Sequence, residues 1–371
     1  MPVFDGHNDV LTRLMQAGGI DGARQFLDGS PFHVDVPKAR RGGFAGGLFA
    51  VWVPSPPRRP GAPGIDAAMA GTHYDIPLPE PLERGYACDT VMHQIGILRR
   101  LESLGALRVC TSVAMIRTCL REGTIAAVLH IEGAEAIDPE LHLLEVLHQA
   151  GLRSLGPVWS RNTIFADGVP FRFPGSPDTG RGLTDIGRRL VVACNRLGIL
   201  VDCSHLNERG FDDVAITSDA PLVASHSNVH ALCPHARNLT DRQLHVIGDS
   251  GGLVGLNLAA AFLREDGRMR SDVPMDTLLR HLDHLLERVG ERGVALGSDF
   301  DGAVVPRGID DVGGLPVLID AMRRHGYGEA LIRRIACDNW LDLLGRTWRE
   351  PEAADDAAHG QAHIHRAPDR P

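Results

Sequence analysis

The chain has 371 residues and a mass of 40.1 kDa, enough to bury a full core, and this length suits either two ordinary domains or one large α/β barrel. A hydrophobic content of 43% and a mean hydropathy of -0.07 fit a soluble globular protein. A formal charge of -9, with no basic run, argues against nucleic-acid and anionic-membrane partners, which both need basic surface.

The first element is a strand over 2–7 that runs into Phe4-Asp5-Gly6-His7-Asn8-Asp9. Alternate side chains of a strand share a face, so His7 and Asp9 are expected to project together, Cα atoms about 6.5 Å apart. A neutral imidazole beside a carboxylate suits zinc or a similar divalent ion. A signal peptide would need a basic head and an apolar run before any folded element, yet this pair arrives by residue 9. Lys38 is the only lysine and sits in a predicted Pro/Arg-rich turn over 36–41, a poor place for a Schiff base or a carbamylated metal bridge.

Residues 43–53 form a continuous apolar run, as a strand buried on both faces does. The proline-rich segment 54–81 reads as a long ordered loop, either a lid over a site or a disordered insertion. Helices are predicted over 87–106 and 112–122, a strand over 124–131 ending at Glu132, a helix over 139–150 and a strand over 152–159. A second proline- and glycine-rich loop, 167–182, precedes a helix over 184–197. Strands at 198–204, 221–225, 252–258 and 293–298 then alternate with helices at 207–217, 240–249 and 274–290, and helices at 313–325 and 328–345 follow. The polar tail 350–371 is predicted to be disordered.

Eight strands alternating with helices imply a parallel sheet, and eight units favour a closed (β/α)8 TIM-like barrel occupying 1–349 as a single unit. No G-x-G-x-x-G follows the first strand to support an open doubly wound sheet. Barrels carry their sites at the carboxyl ends of the strands. Those ends offer His7 and Asp9, Glu132, His205, His226 and Asp299. A lone histidine there is more often hydrogen-bonded than ligating, Glu132 alone is a turn cap, and Asp299 alone is a helix cap. Six metal-competent groups at equivalent ends of five strands are hard to explain as independent caps. The set suits two metals sharing a carboxylate.

Other histidines give weaker signals. His359, His363 and His365 fall in the tail, His142 and His148 lie on an amphipathic helix, and His230, His235 and His245 are left unassigned. The seven cysteines are scattered, odd in number and never spaced C-x-x-C, which suggests free thiols in a reducing compartment. With no apolar stretch long enough to span a bilayer, the cytoplasm is the expected location.

The opening Asp5-Gly6-His7-Asn8-Asp9, Ile131-Glu132-Gly133, the segment from Gly182 to His205, Ala224-Ser225-His226-Ser227, Ala236-Arg237-Asn238 and the run Gly297–Gly302 together resemble the membrane (renal) dipeptidase family of the amidohydrolase superfamily. The resemblance runs from residue 4 to about 345, with the motifs in family order. It implies a zinc metallopeptidase with two Zn2+ per chain, another divalent ion being an alternative. His7 and Asp9 would hold one ion, His205 and His226 the other, and Glu132 would bridge them. It further implies dipeptide amide hydrolysis by a metal-bridging hydroxide, with a D-residue accepted at the carboxyl side, and pairing as a homodimer. Asp299 would handle the water's proton, and Arg237 would meet the substrate's carboxylate. Arg237, Trp159 and Asn257 are the expected substrate contacts.

One departure stands out. Family dipeptidases carry a histidine near the carbonyl oxygen at the end of the fourth strand, and the aligned residue here is Trp159. An indole offers one neutral N–H. Losing an oxyanion donor costs about 10² to 10³ in rate unless something replaces it; Arg161 nearby is either that replacement or a structural residue, the two readings weighing equally. Two other readings stay open: a hydrolase of a non-peptide amide, ester or lactam, and a non-hydrolytic metal-binding relative.

Overall fold

The computed structural model describes residues 1–56 and 64–349. The predicted disorder of 350–371, with the three tail histidines, and the centre of the 54–81 loop lie outside the described residues. Eight parallel strands form the centre: β1 Val3–Asn8, β2 Phe44–Trp52, β3 Ile125–Glu132, β4 Leu152–Gly156, β5 Leu200–Val201, β6 Val223–Ser227, β7 Leu253–Leu256 and β8 Val294–Leu296. They pair in chain order from β1 to β5 and from β6 to β8. Single parallel bridges, Asp202 to Val223 and Asn8 to Phe300, close the two remaining seams. The result is the expected (β/α)8 barrel, with short ladders where it closes.

The apolar runs become strands because both faces are covered. In β3 every residue is buried, and alternation separates the two faces. Ala126 and Val128 join Phe4, Leu48, Leu200, Val223, Leu253 and Ala295 in an interior cluster, whereas Ala127, Leu129 and Ile131 pack outward. The next residues on the inward face are His130 and Glu132, so the barrel interior is apolar at one end and ionisable at the other. Trp340, from the helix Asn339–Thr347, plugs the apolar end and donates its indole N–H to Leu296 O at 2.8 Å. Gly6 makes room for it, because a Cβ there would collide with the indole and with Ser225 O.

The predicted helices form, with ends set by local chemistry. Thr184 caps Asp185–Leu197 and Gly198 closes it in the left-handed region, while Thr240 and Gln243 make a capping box on Asp241–Asp249. The expected turn at Lys38 is instead the helix Val36–Gly42: Asp35 caps it by accepting from Lys38 N. The Lys38 ammonium is consumed locally by Asp35 Oδ2 at 2.5 Å, Ser30 O at 2.6 Å and Phe32 O at 2.8 Å, so it is a structural charge.

The two proline-rich excursions meet. Tyr74–Ile76 from the first pairs antiparallel with Phe171–Phe173 from the second. Tyr74 Oη donates to Gly267 O at 2.6 Å, and Phe171 stacks on Phe262 with centroids 6.1 Å apart. This small ribbon lies over the carboxyl ends of the strands.

Candidate metal centre

The inward face of β3 places the Glu132 carboxylate at the mouth of the barrel, 4% exposed. Its Oε1 lies 3.0 Å from His205 Nε2, 3.3 Å from His226 Nε2 and 3.7 Å from His7 Nε2. One carboxylate oxygen thus faces three imidazoles from three other strand ends. His7 Nε2 is also 3.3 Å from Asp9 Oδ2. Asp9 is not a strand residue, as sequence alternation had it: β1 stops at Asn8, and Asp9 is the N-cap position of the helix Val10–Gln16. The register of β1 on β2 slips between Asp5 and Asn8, and the turn at Asp9 swings the carboxylate back toward His7.

Asp299 follows β8 in a left-handed conformation, φ 62°. Its N–H donates to His7 O at 3.0 Å and its Oδ2 accepts from Asn257 Nδ2 at 3.0 Å. Gly302 allows this packing, since a Cβ there would collide with both Asp299 Oδ1 and Asp9 Oδ2. Asn257 is fully buried and also donates to His226 O at 3.3 Å; it stands behind Asp299 and does not line the cavity.

Electrostatics show what the cluster lacks. Burial raises Glu132 well above the carboxylate range and lifts Asp299 to about 6. Burial opposes charge on His7, yet the carboxylates of Glu132, Asp9 and Asp299 outweigh it and push the imidazole up to about 10. Burial and the nearby cations drive His205 and His226 well below their usual value, so they stay neutral. Among the described residues both nitrogens of His7 are buried without a hydrogen-bond partner, and the His205 and His226 Nε2 atoms face each other at 3.2 Å. Carboxylates gathered on bare imidazole nitrogens form a donor set that fits divalent cations. Among the described residues, His7, Glu132 and His226 form one group able to hold an ion, and His7, Asp9 and Asp299 form another.

The centre opens into a cavity of about 320 Å³ with Glu132, His205, Asp9 and Asp299 on its floor. Trp52, Trp159, Phe171, Phe262 and Met269 make an apolar wall, and Arg13 and Asp301 stand among the polar lining. Trp159 is therefore at the cavity as expected, with its ring 5.9 Å from that of His205. Arg161, the candidate replacement donor, is elsewhere: it is fully buried, ion-paired to Glu135 at 2.8 Å, and its guanidinium lies 5.2 Å from the Trp159 ring centroid. It supports the indole and offers nothing to the cavity lining. Arg237, expected to contact substrate, is buried beside the floor and outside the cavity lining; its Nη2 contacts His205 Nε2 at 3.3 Å, and its Nε has no partner among the described residues. Its contact with His205 uses the lone pair that a metal would take.

Sequence reading missed His130 and Asp202, which form a third ionisable group with His7 below the floor. His130 alternates with Glu132 on β3, and that spacing was the available signal. His235, unassigned from sequence, is buried against Phe262 with ring centroids 4.6 Å apart.

The membrane dipeptidase (peptidase family M19) family model matches residues 1–361. A metallo peptidase from Rhodobacter sphaeroides, solved with a phosphinate mimic of the dipeptide L-Ala-D-Ala, is 53% identical with a TM-score of 0.91, covering 94% of this chain and 99% of its own. The dipeptidase AC, also of family M19, is 52% identical with a TM-score of 0.90 over the same shares. An uncharacterised protein from the pqqA 5′ region of Klebsiella pneumoniae is 47% identical over 268 residues, 72% of this chain and 99% of that protein. With its barrel, its buried His/Glu/Asp cluster and these likenesses, the chain belongs to the membrane dipeptidase family of metallopeptidases, peptidase family M19.

Proposed function

We propose that the chain is a two-zinc dipeptidase that hydrolyses the amide bond of dipeptides, including those with a D-residue on the carboxyl side, in a reducing compartment such as the cytoplasm. The observation that carries the reading is the convergence of three imidazole Nε2 atoms on Glu132 Oε1. The solved relative with its L-Ala-D-Ala mimic supports the substrate class, and seven free cysteines support the compartment.

His7 and Asp9 would hold one ion, His205 and His226 the other, with Glu132 between them. Bound there, divalent cations supply a water acidic enough to ionise near neutral pH and polarise the scissile carbonyl. Asp299, whose Oδ2 is fixed by Asn257, takes the attacking water's proton at Oδ1 and returns it to the amine nitrogen as the C–N bond breaks. Arg237, its guanidinium held by Ser204 O and His226 O, supplies positive charge beside the floor for the substrate's terminal carboxylate. The wall of Trp52, Trp159, Phe171 and Phe262 receives apolar side chains and excludes water.

The test is turnover by the zinc-loaded protein across a panel of L,L and L,D dipeptides, with simple esters and lactams alongside. The reading expects dipeptides, L,D pairs included, to be the best substrates. Turnover of esters or lactams alone would replace it with the non-peptide hydrolase that the indole at position 159 leaves open.

A further inference from the structure

Each imidazole facing Glu132 must present an unprotonated Nε2 if it is to bind a cation, and a neutral histidine does so only when its proton sits on Nδ1. The surroundings of His226 contain a device that decides this. Its Nδ1 lies 2.8 Å from Ser225 Oγ, a contact whose polarity is open because either atom can donate. Ser225 has one hydroxyl proton and a second neighbour, the carboxylate of Asp202 at the end of β5.

Asp202 is buried and collects four donors. Ser204 N and Ser204 Oγ donate to Oδ1 at 3.1 and 2.7 Å, Ser225 N donates to Oδ1 at 2.9 Å, and Ser225 Oγ donates to Oδ2. An ionised carboxylate only accepts, so the Ser225 proton is committed to it. Ser204 does not compete, since its own hydroxyl points at Oδ1 and its oxygen accepts from His226 N at 3.1 Å. Ser225 Oγ therefore has only lone pairs to offer Nδ1.

We infer that Asp202, acting through the Ser225 hydroxyl, locks His226 as the Nδ1–H tautomer and so keeps its Nε2 lone pair aimed into the metal centre. Asp202 is a positioning residue; it lines no part of the cavity. A hydroxyl relays the carboxylate's demand across a gap that the direct pair does not close, Asp202 Oδ2 to His226 Nδ1 being 3.9 Å. The metal consequence rests on the proposed role of His226 as a ligand. The tautomer does not: in the metal-free protein it is set by competition between the Ser225 oxygen at Nδ1 and the Glu132 Oε1 and His205 Nε2 atoms that face His226 Nε2 at 3.3 and 3.2 Å, and the inference is that the Ser225 side wins.

Asp202→Asn keeps the shape and turns the acceptor facing Ser225 into an amide donor. The Ser225 proton is then released toward Nδ1, and His226 becomes the Nε2–H form. The experiment is nitrogen-15 NMR of metal-free protein labelled at histidine, with the His226 signals identified by their loss in His226→Gln. The inference expects a protonated Nδ1 and a bare Nε2 in the wild type, reversed in Asp202→Asn, and mixed tautomers in Ser225→Ala. Zinc affinity at the second equivalent should fall about 10- to 100-fold in Asp202→Asn, the usual effect of losing an outer-sphere partner. A protonated Nε2 in the wild type overturns the inference whether or not any variant folds. So does an unchanged tautomer in a folded Asp202→Asn. The expected tautomers with unchanged zinc affinity would leave the lock intact and count against His226 as a ligand.

Discussion

Glu132 ends one strand of the barrel and His205 lies in the turn after another, and their Oε1 and Nε2 atoms stand 3.0 Å apart with both side chains almost fully buried. Burial makes the carboxylate costly to keep charged, and the neighbouring imidazole is held neutral by burial and by Arg237. The pair is a poor salt bridge and a good half of a metal site.

Glu132→Gln keeps the shape and removes the charge that two cations would share. Metal analysis should show loss of at least one equivalent, with an affinity drop beyond the about 10- to 100-fold typical of an outer-sphere change. An active variant retaining two equivalents would remove Glu132 from the bridging position.

Asn257→Leu frees Asp299 Oδ2 from its amide donor and replaces none of the proposed ligands, while also removing the 3.3 Å bond to His226 O. Metal content should stay at the wild-type level, and kcat should fall by part of the about 10² to 10⁴-fold that a positioned acid–base group contributes. Unchanged kcat would show that Asp299 needs no such fixing.

The eight strands were legible because both their faces are buried, which writes continuous apolar runs into the chain. The proposed ligands at their ends were legible because His and carboxylate residues interrupt those runs at equivalent places. The four helices between Val10 and Gly42 were not foreseen, being of four to seven residues and too short to show a period. Asp9 was read onto a strand because alternation cannot register a chain that turns after Asn8. Asn257 was read as a substrate contact, and Asp202 gave no signal of its own. Their roles depend on partners on adjacent strands, Asp299 and Ser225, and no local pattern carries that.

Glu135→Ala removes the partner of the fully buried Arg161 and leaves its charge unpaired beneath Trp159. Breaking such a pair from one side costs about 3 to 5 kcal/mol, which denaturant titration would read as a lower midpoint at similar slope. The reciprocal Arg161→Met should cost less, since the remaining Glu135 can take up a proton. Equal stability of wild type and Glu135→Ala would show the pair to be idle.

Trp159→His places an imidazole where the family resemblance implies one facing the carbonyl oxygen. If the indole restrains amide hydrolysis, kcat on dipeptides should rise, at most by the about 10² to 10³-fold that one oxyanion donor provides. A folded variant with unchanged kcat would show that the wall serves packing against Trp52 and Phe171, whose rings lie 5.1 and 5.6 Å from it.

The most direct measurement is a zinc titration of metal-free protein with hydrolysis of L-Ala-D-Ala as the readout. Two ions sharing Glu132 predict activity that rises with zinc and levels off at two equivalents per chain. Full activity at one equivalent, or two bound equivalents with no cleavage of any dipeptide, would contradict a two-zinc dipeptidase.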